Sequence, residues 1–273
     1  MKSKIYNFLI FLILSNIFFL DAYSQNQFNF NVTNVEVLQN GNIYKGNERG
    51  EFTTNNGIII NANSFEYNKA LNILYAKGNV KIEDIIKNYV IFTEDITYYK
   101  NEEKILSRGK TNSIIESKYK LISNEILEYD KALNILNAKG DVEIEDTINN
   151  YIILAEDITY FKNEEKILTR GKTKSKIKSK YELTSENVLY LVTENKLKSS
   201  KKSTFKDNNS NVYILDKFNY SINKEELKGE NIIAITNFDK PESDKFYFSN
   251  GIINFKTENF IAKDTKIEIH NDI

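Results

Sequence analysis

The chain of 273 residues carries 37 Lys or Arg against 38 Asp or Glu, a formal net charge of -1, which excludes the one-signed charge of a nucleic-acid binder or an acidic tail. Apolar residues make up 41%, with 17 Tyr, 17 Phe and no Trp, enough to bury a core and too much for a disordered chain. The absence of Cys and a single His, His270, remove disulfides, thiolate chemistry, Cys-based metal centres and most imidazole catalysis, so no cofactor and no metal is expected.

At the amino end, Lys2 and Lys4 precede an apolar run from Ile5 to Leu20, followed by Asp21-Ala22-Tyr23-Ser24. Small residues at the positions a signal peptidase reads predict a Sec-type signal peptide over 1–24, cleaved after Ser24. The run of 16 residues is shorter than the roughly 20 that a spanning helix needs. Residues 25–57, rich in Asn and holding Gly41, Gly46, Gly50 and Gly57, read as a leading strand and loops. Residues 58–273 read as one repeat domain.

Tyr67 to Tyr119 and Tyr129 to Tyr181 align at an offset of 62 with 39 of 53 positions identical. Each unit divides again, since Tyr67 to Gly78, Tyr98 to Gly109, Tyr129 to Gly140 and Tyr160 to Gly171 share one spacing, and the true period is about 31. Weaker copies follow at Tyr190 and Tyr220, and Phe255 to Ile269 has the same character. A period of this length marks a stacked architecture whose units cannot bury their apolar faces alone.

Alternation decides between helix and strand. Leu74, Ala76, Gly78, Val80 and Ile82 fall on every second position with Lys77, Asn79, Lys81 and Glu83 between them, the pattern of a half-buried strand. A second strand type runs through Tyr89, Ile91 and Thr93, then Ile96 and Tyr98, with the parity slipping at Glu94-Asp95 and again at Glu156-Asp157. Such a slip predicts a bulge or corner that keeps the apolar side inward. About eight two-strand units stacked at about 4.8 Å would extend each of two facing sheets on the order of 40 Å. The inward rows mix bulky with small side chains, which predicts a continuous apolar slot between the sheets. Its lining would be Leu74, Val80, Ile82, Ile91, Ile96, Tyr98, Ile105, Leu136, Val142, Ile144, Ile153, Ile158, Tyr160 and Ile167.

The recurring acid pairs, such as Glu83-Asp84 and Glu145-Asp146, read as solvated turn carboxylates, because a catalytic pair is not reissued in every copy. Lys77, Arg108, Lys139 and Arg170 form a basic column before each Gly. By parity they face water and neighbouring acids, with contact to an anionic head group as the alternative. Tyr67, Tyr98, Tyr129, Tyr160, Tyr190 and Tyr220 read as a packing ring at a sheet corner. His270 reads as filler.

The unit pattern, carried by Ala62 to Tyr67 with Leu74 to Ile82, Thr93 to Tyr98 with Ile105 to Ser113, Asn124 to Tyr129 with Leu136 to Ile144, and Ala155 to Tyr160 with Ile167 to Ser175, resembles the OstA-like lipopolysaccharide-transport family. That resemblance covers residues 58 to 235. It implies an all-β, elongated open β-jellyroll (β-taco) in the periplasm, with a groove that shields the acyl chains of lipopolysaccharide for outer-membrane assembly. Within the family the chain is most similar to the amino-terminal periplasmic domain of the LptD translocon, with a free-standing LptA-like bridge as the alternative. Implied partners are lipopolysaccharide, other jellyroll proteins joined by edge-strand pairing, and an outer-membrane β-barrel outside this sequence; no nucleic acid and no enzymatic activity is expected. Outside the family, a secreted β-solenoid acting on polysaccharide and a structural repeat protein are the competing readings.

Overall fold

Repeated alternation over short segments makes antiparallel strands, and a bulge of fixed period folds the resulting sheet lengthwise. A computed structural model describes residues 28–238, 240 and 243–270; the signal peptide expected at 1–24 lies outside them. The described chain is nearly all β, an elongated jellyroll of antiparallel strands. Eight long strands, Phe28–Leu38, Ile43–Thr54, Ile73–Asp84, Tyr89–Tyr99, Ile135–Asp146, Tyr151–Phe161, Glu226–Ile235 and Lys245–Asn254, each contribute one half to an upper layer and the other half to a lower layer.

Short strands complete each layer. Ser64–Asn68 joins the first half of Ile73–Asp84 in the upper layer, and Ile58–Ala62 joins its second half in the lower layer. Lys104–Arg108 and Ile126–Asp130 then continue the upper layer while Thr111–Ile115 and Tyr119–Ser123 continue the lower one. The same division recurs to the carboxy end, where Asn259–Lys263 and Lys266–Glu268 flank the two halves of Lys245–Asn254. Counted among the described residues, each layer holds sixteen strand segments, which at about 4.8 Å apiece extend about 70 Å. The 40 Å expected from the sequence is too short because each repeat contributes two segments to each layer rather than one. Residues 28–54 form a long hairpin of two strands that start both layers, where the sequence suggested one strand and loops.

The two layers meet at a spine. Register shifts between Lys77 and Val80 and between Lys139 and Val142 place a two-residue bulge opposite Glu94 and Glu156. The sequence located this break on the facing strand, at the acidic pairs; the extra residue sits instead at Gly78-Asn79 and Gly140-Asp141, which take the left-handed conformation with φ of 80° and 49°, and 81° and 47°. Gly fits there because it lacks the Cβ that crowds this region. Opposite the spine, the turns of the upper and lower layers face each other across the mouth of the fold.

Small side chains cluster where the layers converge. Ala76, Ser107, Thr111, Ala138, Thr169 and Thr173 are buried at the spine. Their hydroxyls satisfy one another, Ser107 with Thr111 at 2.7 Å and Thr169 with Thr173 at 2.7 Å. The interior is therefore a wedge, narrow at the spine and wider toward the mouth, and side-chain size follows its taper.

Two spine glycines separate backbone strain from crowding. A Cβ at Gly109 (φ 82°) would meet no atom within 4 Å, whereas one at Gly140 (φ 81°) would lie 2.2 Å from Glu125 Cγ. Gly109→Ala is expected to lower stability by about 1 kcal/mol through backbone conformation alone. Gly140→Ala, at the same φ, should lose that amount plus about 1–3 kcal/mol, the range for overpacking. Urea unfolding followed by circular dichroism checks both; equal losses would show that the Glu125 contact is immaterial.

Candidate functional site

The mouth is where the layers are furthest apart, and tyrosines fill it. Tyr98, Tyr129, Tyr160, Tyr190 and Tyr220 stand on upper strands near their mouth turns, and Tyr89, Tyr119, Tyr151 and Tyr181 stand on lower ones. They pair across the gap: Phe52 with Tyr98 at 6.3 Å between ring centroids, Tyr89 with Tyr129 at 4.7 Å, Tyr119 with Tyr160 at 5.7 Å, Tyr151 with Tyr190 at 4.9 Å, and Tyr181 with Tyr220 at 6.1 Å. These separations suit edge and tilted aromatic contacts. The upper tyrosines thus lie at the mouth, not at the corner where the sequence placed them. The periodicity that places the upper column also places the lower one, since Tyr89, Tyr119, Tyr151 and Tyr181 recur every 30 to 32 residues.

Burial shifts these phenols. Desolvation pushes Tyr98 and Tyr190 up to about 12 and Tyr129 higher still, where the Asp84 carboxylate adds to the effect. Each would have to ionise inside an apolar wedge.

Outside the tyrosines, polar side chains latch the turns of the two layers together. Asn56 of the lower layer bonds Glu103 of the upper one. Asp84 Oδ1 caps its own turn by accepting from the Ile86 and Lys87 amides at 3.0 and 2.9 Å. Its Oδ2 reaches across to the Tyr129 hydroxyl at 2.7 Å and Lys131 Nζ at 2.6 Å. Both side chains of this ion pair are buried, 0% exposed for Asp84 and 7% for Lys131. Solvated turn carboxylates were expected; here the burial comes from the capped turn, which directs the free oxygen inward. Lys162 Nζ crosses next, to the Lys87 carbonyl at 2.6 Å and Glu116 at 2.9 Å.

The following turn pair, 147–150 facing 192–195, has no cross-mouth ion pair among the described residues, and the layers are joined there by a hydrogen bond between the Tyr151 and Tyr190 hydroxyls. Asp146, the repeat equivalent of Asp84, bonds only within its own layer, to Tyr151 at 2.8 Å, to Asn149 at 2.9 Å and to Lys118 at 3.5 Å. Burial would raise its carboxyl, but the Asn149, Tyr151 and Lys118 contacts outweigh that and hold it below the ordinary value. The position equivalent to Lys131 is Val192, since the Lys131 amide donates to the Glu103 carbonyl as the Val192 amide does to Glu165, and the neighbouring Thr193 hydroxyl bonds the Glu165 side chain in the upper layer. One further latch follows, with Lys178 Nζ donating to Glu225 at 3.1 Å and to the Ile222 carbonyl at 3.3 Å, and the Tyr181 hydroxyl to Glu225 at 2.9 Å. Burial opposes ionisation of Glu225, yet Tyr181 and Lys178 bring its carboxyl below the usual range.

Beyond this latch the mouth opens. A cavity of about 520 Å³ lies between the lower strands ending near Asp207 and Thr236 and the upper turn at 255–258. Tyr181, Tyr213, Phe246, Phe248, Phe255 and Phe260 line it, with Lys180, Asp207 and Glu258 at its margin. Asn208, Asn209, Asn211, Thr236, Asn254 and Asn259 line it as well, so aromatic rings meet a largely polar border, a lining that suits an amphipathic ligand. Nothing in the sequence reading singled out these phenylalanines, because they fall in the weakest copies of the repeat.

The fourteen slot residues all lie in one buried core, from Leu74, Leu136, Val142, Ile153 and Ile167 at 0% to Ile96 at 4% exposed. They point inward as parity predicts, but against the facing layer and the tyrosines; in this conformation they line a filled wedge and not an open slot. The four basic residues lie on the outer face of the upper layer, near the spine. Asp95 sits in register between Lys77 and Arg108, and Asp157 between Lys139 and Arg170, with Arg170 3.8 Å from Asp157. That alternation accounts for them as cross-strand pairs. His270 is exposed and donates its amide to Asp244 at 3.0 Å.

No family profile and no curated protein matches the chain. Among solved structures it is similar to LptH from Pseudomonas aeruginosa, described as the LptA homologous periplasmic component of the conserved lipopolysaccharide transport device. The two share 16% sequence identity over 38% of this chain and 75% of that one, with a TM-score of 0.35. A superposition this loose supports neither a family assignment nor a shared function.

The two equivalent aspartates set up a direct comparison. Lys131→Ala leaves the buried Asp84 without its counter-ion and is expected to lower stability by about 3–5 kcal/mol. Thr193→Ala removes an exposed contact and should change it by less than about 0.5 kcal/mol. Urea denaturation measures both, and similar losses would contradict a special role for the Asp84 latch.

Proposed function

We propose that the chain is a periplasmic lipopolysaccharide-binding and transport module, the amino-terminal part of an LptD-like outer-membrane translocon, which shields acyl chains between its two layers. The observation that carries this reading is the aromatic cavity at the carboxy-terminal end of the wedge, where the mouth is unlatched and apolar rings border an opening. An acyl chain exposes about 0.8 kcal/mol per methylene to water, so a lipid with several chains needs such a shelter to leave a membrane. The family resemblance of the repeat supports lipopolysaccharide as the lipid.

The edges support a place in a chain of similar modules. Among the described residues, Phe28–Leu38 pairs only with Ile43–Thr54, and Asn259–Lys263 and Lys266–Glu268 pair only with Lys245–Asn254. Each therefore has a free side for strand addition by another jellyroll. Val35 and Val37 at one edge and Ile261, Ile267 and Ile269 at the other are exposed, which favours covering both. A free-standing LptA-like bridge would use the same two edges.

One observation favours a second reading, a structural repeat protein. The wedge from Tyr67 to Tyr220 is filled without a ligand, as a scaffold would be. Photo-crosslinking separates the two. A photoreactive phenylalanine analogue at Phe246 or Phe255 is expected to capture purified lipopolysaccharide, and the same analogue at Lys139 on the outer face should not. Capture from none of the three would leave the scaffold reading, and equal capture from Lys139 would contradict a cavity site.

A further inference from the structure

Four turns at the mouth differ from their neighbours in what they show to solvent. Turns 69–72 and 131–134 of the upper layer and 85–88 and 147–150 of the lower one carry Leu71, Leu133, Ile85, Ile86 and Ile148 at their tips, each 60–71% exposed. The other mouth turns up to residue 225 carry polar tips, such as Asn101-Glu102, Ser117-Lys118, Asn163-Glu164 and Thr193-Glu194, so the fold does not require an apolar one. An Asn or Asp ahead of each turn accepts from its amides: Asn68 from Leu71 at 3.1 Å, Asp84 from Ile86 at 3.0 Å, Asp130 from Leu133 at 2.8 Å and Asp146 from Ile148 at 2.9 Å. This cap satisfies turn amides from within and leaves the apolar tip projecting. Singly scattered apolar residues on a surface are ordinary, but these recur: Leu71 and Leu133, and Ile86 and Ile148, are equivalent across the 62-residue repeat. Four strand spacings separate the equivalent turns in each layer, about 19 Å. Because 85–88 faces 131–134, the tips form three stations along one edge: Leu71, then Ile85, Ile86 and Leu133 together, then Ile148.

The charge shown by these turns has one sign. None of the four contains an acid, and Asp84, Asp130 and Asp146 just ahead of three of them are buried. Lys131 is buried as well, which leaves the exposed Lys69 and the half-buried Lys87 beside the tips. We propose that this edge docks on the surface of an anionic phospholipid bilayer, with its three stations set into the boundary between head groups and acyl chains. A bilayer is a flat fluid phase that receives separate projecting side chains, whereas a protein partner would need a matching pocket at each station. Capped turns enter that boundary without bringing unmet backbone amides into hydrocarbon, and Lys69 and Lys87 draw the edge toward anionic lipid. Docking goes beyond the sheltering of a lipid within the fold and does not depend on it, since the tips lie outside the wedge and away from the carboxy-terminal cavity.

The chain has no Trp, so Ile86→Trp gives a single fluorescent reporter on the edge and Lys139→Trp one on the outer face. With vesicles of phosphatidylglycerol and phosphatidylcholine, the emission of Ile86→Trp is expected to move to shorter wavelength and to be quenched by brominated acyl chains, and that of Lys139→Trp to do neither. Vesicle sedimentation of the full chain should show tighter binding to these vesicles than to phosphatidylcholine alone, weakening as salt is added. Ile86→Ser with Leu133→Ser, both at exposed tips, should keep the β circular-dichroism signal and weaken partitioning about tenfold or more. No partitioning, quenching at position 139 equal to that at 86, or partitioning untouched by the double replacement, as the apolar run from Ile5 to Leu20 alone would give, would overturn the docking. So would self-association without vesicles that the double replacement abolishes in sedimentation velocity, because a second copy would then cover the tips. Docking on vesicles with no lipopolysaccharide captured at Phe246 or Phe255 would leave the edge and remove the lipid shelter; capture without docking would do the reverse.

Discussion

The contact on which the rest of the structure depends is the pairing of tyrosines across the mouth. Two layers joined at a spine diverge with distance from it, and a wedge of packed side chains must widen in step. Ala, Ser and Thr fill the narrow part, Val, Ile and Leu the middle, and paired tyrosine rings the wide part. Tyrosine suits that last position because its ring is apolar while its hydroxyl reaches the polar rim. Tyr129 shows both halves of this, with its ring against Tyr89 and its hydroxyl on Asp84.

The rim then determines how firmly the wedge is held. Apolar packing closes the mouth everywhere up to Tyr220, but ion pairs secure only parts of it, and the repeat is not uniform in this respect. A single position, Lys131 in one copy and Val192 in the equivalent one, separates an aspartate that bridges the layers from one that bonds within its own layer. Where neither tyrosine pairs nor latches continue, the wedge becomes a cavity lined by phenylalanine. Closed core, latched rim and open end are successive outcomes of one repeat as its residues change.

Much of this was legible before any coordinates. The alternation in Leu74 to Ile82, the offset of 62 and the parity slip near Glu94 give the strands, their inward faces and the bend. The inference from small inward residues to an empty slot was not sound. Ser107, Thr111 and Thr169 are small because the layers nearly touch at the spine, and spacing along one strand carries no information about the distance to the other layer. For the same reason Asp84 and Lys131, 47 residues apart, could not be paired from sequence, nor could the buried aspartates be told from their exposed neighbours. The aromatic cavity escaped notice because Phe246, Phe248, Phe255 and Phe260 lie where the repeat has decayed.

Closure of the mouth by paired tyrosine is tested most directly by a spectrophotometric tyrosine titration of the folded protein, followed alongside its far-ultraviolet circular dichroism. Desolvation places Tyr98 and Tyr190 at about 12 and their ladder neighbours Tyr89, Tyr119, Tyr129, Tyr151, Tyr160 and Tyr220 above that. These phenols are therefore expected to stay protonated through pH 11 and to ionise only as the β signal is lost. Ionisation of all 17 tyrosines near the free-phenol value of about 10, with the β signal intact, would mean that water already fills the mouth and that the ladder does not close it.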